Sequence, residues 1–178
     1  LLLARVLGEE GFRYLAPSRP GYLGTPLDRG RTPEEQAALY AALLDAMGVE
    51  RAAVMAVSGG GASAIHFALR HRDRCRGLVL VSVPAQAVRR PPRSFAVLKL
   101  LVRVPGVEAL LRRRALRRPE EAARRSLADP ELRERILGDP EAWALLQELQ
   151  RSTLDRMRLR LAGTDNDAEV AATRAYPL

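Results

Sequence analysis

From residue 11 to residue 85 the chain alternates short apolar runs with stretches of helical period. "FRYLAP" (12–17) is a short run of strand-favouring residues. "RAAVMAV" (51–57) and "RGLVLVSV" (76–83) have the near-continuous apolar centres of buried parallel strands. Between the runs, "EEQAALYAALLDAM" and "ASAIHFALRH" (62–71) read as helices, as does the opening stretch 1–9, which Gly11 stops. Thr32 can cap the longer helix, Pro33 suits its first turn, Glu35 can close a capping box and Gly48 is placed to end it. "SRPGYLGTPLDRG" (18–30) is a loop by its glycine and proline content. Helix, strand, helix, strand, helix, strand is the order of an α/β fold with a parallel sheet of about three strands and covering helices.

After Pro84 the rhythm changes. Residues 94–175 keep a helical period and offer no strand. Pro119, Pro130 and Pro140 each stand where a helix can start, and "DPELRERIL" and "DPEAWALLQELQ" both open with an Asp cap and a first-turn Pro-Glu. The division this predicts is an α/β part over 1–85 and a helical lid or cap over 86–178. Trp143 shares a helix with Leu145, Leu146 and Leu149 and reads as lid core. In "GTDNDAEVA" the aspartates Asp165 and Asp167 read as caps at a helix start.

Charge changes this picture little. Lys plus Arg is 29 against 21 Asp plus Glu, a formal +8, and Lys99 is the only lysine. Aromatic residues do not interleave with the basic ones, which argues against nucleic acid, and "RRRALRRPEEAARR" (112–125) mixes both signs as a solvated face does. "FAVLKLLVRVPGVEALL" is too broken by Lys99, Arg103 and Pro105 to span a membrane. With no signal peptide at its start, the chain is expected in the cytoplasm. Cys75 stands alone, so neither a disulfide nor a cysteine metal site can form within the chain, and it reads as a small, partly buried residue.

The candidate chemistry lies in "AVSGGGAS" (56–63), between the second apolar run and the helix that follows it. Three successive glycines cost backbone entropy, so something must require them. A serine on a tight strand-to-helix turn is forced into strained backbone angles that push its hydroxyl outward, and small residues two before and two after let strand and helix pass closely. Here these are Ala56 and Gly60, giving A-x-S-x-G around Ser58. The N–H of Gly59 is one donor for an oxyanion, and the following helix adds its positive end. Gly59-Gly60-Gly61-Ala62-Ser63-Ala64 also fits the G-x-G-x-x-A of dinucleotide binding, but "GLVLVSVP" lacks the acid that would hold a ribose. A phosphate-binding P-loop is excluded, because no G-K-[ST] follows.

These elements together, "FRYLAPSRPGYLGTP" followed by "TPEEQAALYAALLDAMGVERAAVMAVSGGGASAIHFALRHRDRCRGLVLVSVPA", resemble the central part of an α/β-hydrolase fold protein. The chain is similar to the esterase, lactonase and peptidase-like members that carry a helical cap. The resemblance implies that 12–17, 51–57 and 76–83 match the fourth, fifth and sixth strands, and that 86–178 match the inserted cap. It implies a serine hydrolase that cleaves a small, partly apolar ester, lactone or amide through an acyl-enzyme on Ser58, without metal or organic cofactor. The alternative is a non-catalytic ligand-binding protein on the same scaffold.

The resemblance also implies parts that this sequence does not hold: the second oxyanion donor, the acid and the histidine base. The end of the sixth strand, where some members carry the acid, reads Ser82-Val83-Pro84. His66 and His71 lie on the helix that leads away from Ser58 and read as packed or surface residues. Arg19 and Tyr22 lie in the loop after the fourth strand, where loop structure is their expected role although they stand near the pocket border. The opening "LLLARVLGEEG" and the close "RAYPL" point to a piece of a longer chain, and the 178 residues alone are expected to be inactive.

Overall fold

Thr32 opens the first helix, α1 (Pro33–Ala46), with the reciprocal cap its sequence predicts. Its hydroxyl accepts from the Glu35 N–H at 3.2 Å, and the Glu35 carboxylate accepts from the Thr32 N–H at 2.9 Å. Gly48, at φ 62°, ends the helix, and the Val49 N–H reaches back to the Leu44 carbonyl at 2.9 Å. A computed structural model describes residues 11–88 and 93–176, and the helix expected over 1–9 lies outside them. The chain divides into two units, Ser18–Phe95 with Leu159–Leu178, and Leu1–Pro17 with Ala96–Arg158.

In the first unit α1 is followed by β1 (Ala52–Val57), α2 (Gly61–Arg70) and β2 (Cys75–Val81). The two strands pair in parallel from Ala52↔Cys75 to Val57↔Val81. A right-handed return between parallel neighbours needs a covering helix, and α2 supplies it. Ala37, Ala41 and Leu44 of α1 meet Phe67 of α2 in the core, with Val54 of β1 packed against them. The strands were expected to be buried on both faces. Among the described residues α1 and α2 cover one face only, so Met55, Val57, Val79 and Val81 remain exposed on the other. The unit closes with α8 (Leu161–Thr173).

Residues 12–17 form no strand, which corrects the expectation for "FRYLAP". Among the described residues the sheet holds β1 and β2 alone. A strand exists through its ladder, and here the apolar side chains of Phe12 and Leu15 stay exposed instead of packing on a sheet.

The second unit is helical. Most of α3 (Arg93–Val102) belongs to it, with α4 (Val107–Arg117), α5 (Pro119–Ser126), α6 (Pro130–Gly138) and α7 (Pro140–Leu154). Pro119, Pro130 and Pro140 each take the first helical position. Asp129 and Asp139 accept from the next two free N–H groups of their helices, at 2.9–3.3 Å and 2.9–3.1 Å. Trp143 is half-buried on α7. Among the described residues no helix is long and apolar enough to cross a membrane.

Candidate active site

Val57 is the last paired residue of β1, and the next residue leaves the strand sharply. Ser58 has φ 50°, a left-handed conformation that costs an L-residue roughly 1–2 kcal/mol. Ser58–Gly60 form a single 3-10 turn that runs straight into α2. The Ser58 side chain is exposed and makes no hydrogen bond among the described residues. Ser63, the other serine of the stretch, is 1 % exposed, and its hydroxyl donates to the Gly60 carbonyl at 3.1 Å and meets the Tyr40 hydroxyl at 2.9 Å. One hydroxyl is committed to the fold and the other is free.

Each of the three glycines faces a different neighbour. A Cβ on Gly59 would stand 2.5 Å from Oδ2 of Asp167. One on Gly60 would meet Ala56 Cβ at 3.9 Å, an ordinary contact, which is why Ala at position 56 fits. One on Gly61 would stand 2.8 Å from Val83 Cβ and closer still to its methyl carbons. Val83 arrives there because Ser82 turns β2 out of the sheet at φ 51°. The tightest spacing therefore falls on Gly59 and Gly61, while Gly60, two after the serine, has room.

Asp167 belongs to a cluster that the sequence reading did not assemble. Arg19 donates from Nη1 to Asp167 Oδ1 at 2.8 Å and from Nη2 to Oδ2, and the Tyr22 hydroxyl donates to Oδ2 at 2.6 Å. The guanidinium lies over the Tyr22 ring, 4.9 Å from its centroid. Burial pulls the Arg19 pKa down, but the hydrogen bonds and charge of Asp167 outweigh it, leaving the group above the ordinary arginine value. Burial pushes the Tyr22 phenol up to about 12, helped by its bond to the carboxylate. At neutral pH Arg19 is therefore charged and the Tyr22 phenol neutral.

Asp165 and Asp167 do not cap a helix start. The helix begins at Leu161, so both lie in its interior, and the Asp167 side chain turns to Arg19 instead. Gly163 does not break the helix; a Cβ there would run into the Tyr22 ring. The Gly163 N–H donates to the Gly21 carbonyl at 2.9 Å and the Leu23 N–H to the Leu159 carbonyl at 2.8 Å, so α8 sits backbone to backbone on the 18–30 loop. The available sequence signal was a charged Arg19 beside an aromatic residue in a Gly-Pro loop, which needs a counter-charge when buried.

The histidines stand elsewhere. His66 Nε2 is 3.4 Å from Glu34 Oε1, and its ring meets Tyr176 edge-on. Glu34 also pairs with Arg174. His71 closes α2 at its far end and stacks near Phe67, ring centroids 5.5 Å apart. Cys75 is a half-buried free thiol at the start of β2. Among the described residues no group of acidic, histidine or cysteine side chains is arranged to hold a metal.

A family model for the alpha/beta hydrolase fold matches residues 3–130. The chain is 38% identical over 100 residues to "Uncharacterized hydrolase YcgS" of Bacillus subtilis, covering 56% of this chain and 35% of that protein. It is 32% identical over 106 residues to a 2-hydroxy-6-oxononadienedioate/2-hydroxy-6-oxononatrienedioate hydrolase of Burkholderia vietnamiensis, covering 56% and 37%. An alpha/beta hydrolase fold protein from Nakamurella multipartita superposes with a TM-score of 0.80 at 36% identity, over 96% of this chain and 62% of that one. The chain thus spans a little over a third of the length of the curated relatives it matches. With its parallel strands, its left-handed serine at a strand-to-helix turn and this match over most of its length, the chain belongs to the alpha/beta hydrolase fold family.

Proposed function

We propose that the full-length protein is a serine hydrolase in which Ser58 attacks the carbonyl carbon of a small, partly apolar ester, lactone or amide. The observation that carries this reading is Ser58 itself: a strained φ of 50° and an exposed hydroxyl with no hydrogen bond among the described residues. Strain of this kind persists only when the surroundings impose it, and it gathers at functional positions. The hydroxyl adds to the carbonyl, and the negative charge formed on its oxygen is met by the Gly59 N–H at the positive end of α2. Collapse expels the alcohol or amine and leaves an acyl group on Ser58, which water then removes.

This reading calls on a base to take the Ser58 proton and a carboxylate to orient that base. His66 is engaged with Glu34, and His71 closes α2 about 15 Å of helix beyond the turn, so neither serves. Base, acid and second oxyanion donor are assigned to residues outside this sequence, and residues 86–178 to a helical cap.

The test is covalent labelling of the full-length protein with a fluorophosphonate. Wild type should be labelled to one equivalent and Ser58→Ala not at all. Equal labelling of the alanine variant would remove Ser58 as the nucleophile. Ligand binding with no labelling of wild type would favour the non-catalytic alternative.

A further inference from the structure

We infer that Asp167 is a positioning residue for the oxyanion donor, holding the Gly59 peptide in place with a carboxylate that Arg19 and Tyr22 orient; the inference rests on Ser58 being the nucleophile. A donor of this kind works only if it is aimed before the charge develops. Gly59-Gly60-Gly61 is intrinsically the least constrained tripeptide a chain can offer. The constraint must come from its neighbours, and the space above each glycine shows which they are. Ala56 of β1 backs Gly60 and Val83, just past β2, backs Gly61, whereas Gly59 is backed by Asp167 of α8.

An apolar side chain would fill that space without bringing a charge into a half-buried site. A carboxylate there needs its own support, and it has three hydrogen bonds, two from Arg19 and one from Tyr22. Asp167 is only 16 % exposed and Arg19 19 %. The support is itself anchored, since α8 is bonded to the loop at Gly21–Gly163 and to the residue after the loop, from Asn166 Nδ2 to the Arg31 carbonyl at 2.8 Å. Arg19 also runs along the turn, its Nε 4.0 Å from where a Cβ on Gly60 would be. The guanidinium thereby offsets the Asp167 charge beside a peptide that must stabilise an anion. Loop, helix and turn meet at one carboxylate, and the peptide held there is the donor.

The experiment is steady-state hydrolysis of p-nitrophenyl acetate by the full-length protein, with fluorophosphonate labelling alongside. Asp167→Ala should lower kcat about 10- to 100-fold with KM changed by less than about threefold, part of the loss from a misaimed donor. Labelling should be slower but reach the wild-type stoichiometry. Asp167→Asn, which keeps shape and one acceptor, should recover most of kcat. Tyr22→Phe keeps the ring and removes only the hydroxyl, so it should lose kcat a few-fold if Asp167→Ala does not fold. Wild-type kcat in Asp167→Ala, or in Tyr22→Phe where that variant must stand in, overturns the inference. So does a fall in labelled stoichiometry that tracks the fall in kcat, since it reports lost folded protein. If Ser58→Ala labels like wild type, the nucleophile assignment falls and this inference with it. If only the Asp167 and Tyr22 variants behave as wild type, Ser58 stands and the inference alone is overturned.

Discussion

Val83 rests on Gly61 so closely that a Cβ at residue 61 would lie 2.8 Å from the valine Cβ. Gly60, one residue earlier, has φ −73° and space for a methyl group. Gly61→Ala should therefore cost on the order of 1–3 kcal/mol of stability through overpacking. Gly60→Ala should be neutral or gain up to about 1 kcal/mol by restricting the unfolded chain. Denaturant unfolding of the two variants checks the contrast, and equal effects would mean that the Val83 contact is not as tight as described.

Gly163 presents the same constraint on α8. Its neighbour is the Tyr22 ring, so Gly163→Ala must push the 18–30 loop away from the helix. It should weaken the Gly163–Gly21 hydrogen bond and loosen Arg19 from Asp167. Hydrogen exchange at the Gly163 and Leu23 amides should rise in the variant, and unchanged protection at both would count against this coupling.

Asp139 caps α7 by accepting hydrogen bonds from the Glu141 and Ala142 N–H groups. Asp139→Ala should cost about 0.5–2 kcal/mol, and Asp139→Ser much less, because serine also caps. Helical circular dichroism during thermal unfolding reads the difference. Equal loss in both variants would argue against capping as the cause.

The cluster around His66 gives stability a pH dependence. Burial lowers the His66 pKa below its ordinary 6.5, Arg70 and Arg174 add to this, and Glu34 opposes it. The unfolded chain then takes up the proton first as pH falls, so stability declines from 6.5 downward until the folded His66 is protonated as well. For Glu34, burial pushes the pKa up but is outweighed by its own backbone N–H and by Arg174 and His66, leaving it below 4.5. Its contribution is complete above 4.5 and is lost as pH falls through the folded value. Unfolding midpoints measured between about pH 8 and pH 5 should fall in wild type and stay flatter in His66→Gln. Identical slopes would remove His66 as the source.

What the sequence made legible was local. The Thr32–Glu35 box, Gly48, the two Asp-Pro-Glu starts and the Ser58 turn all depend on residues a few positions apart, so type and spacing reveal them. The Arg19–Asp167 pair was not legible, because its partners are 148 residues apart and Asp167 sits in a run that also suits a cap. "FRYLAP" misled for a related reason. Its composition favours extended chain, but a strand also needs a neighbour to bond to, and composition cannot supply one. Of the three glycines only Gly59 and Gly61 are required, and the side chains that require them, Asp167 and Val83, come from elsewhere in the chain; Gly60 has room for a methyl group.

That separation of 148 residues has a consequence for how the chain is made. At about 5–20 residues per second, a ribosome that has finished Arg19 reaches Asp167 on the order of ten seconds later. Throughout that interval the guanidinium lacks the Asp167 carboxylate, even after α1, β1, α2 and β2 have been synthesised. The 18–30 loop is thus expected to stay open until α8 emerges, and the Ser58 turn to gain its Asp167 contact only then. In a chain made in this order, Gly59 stays without the side chain that backs it until α8 has emerged.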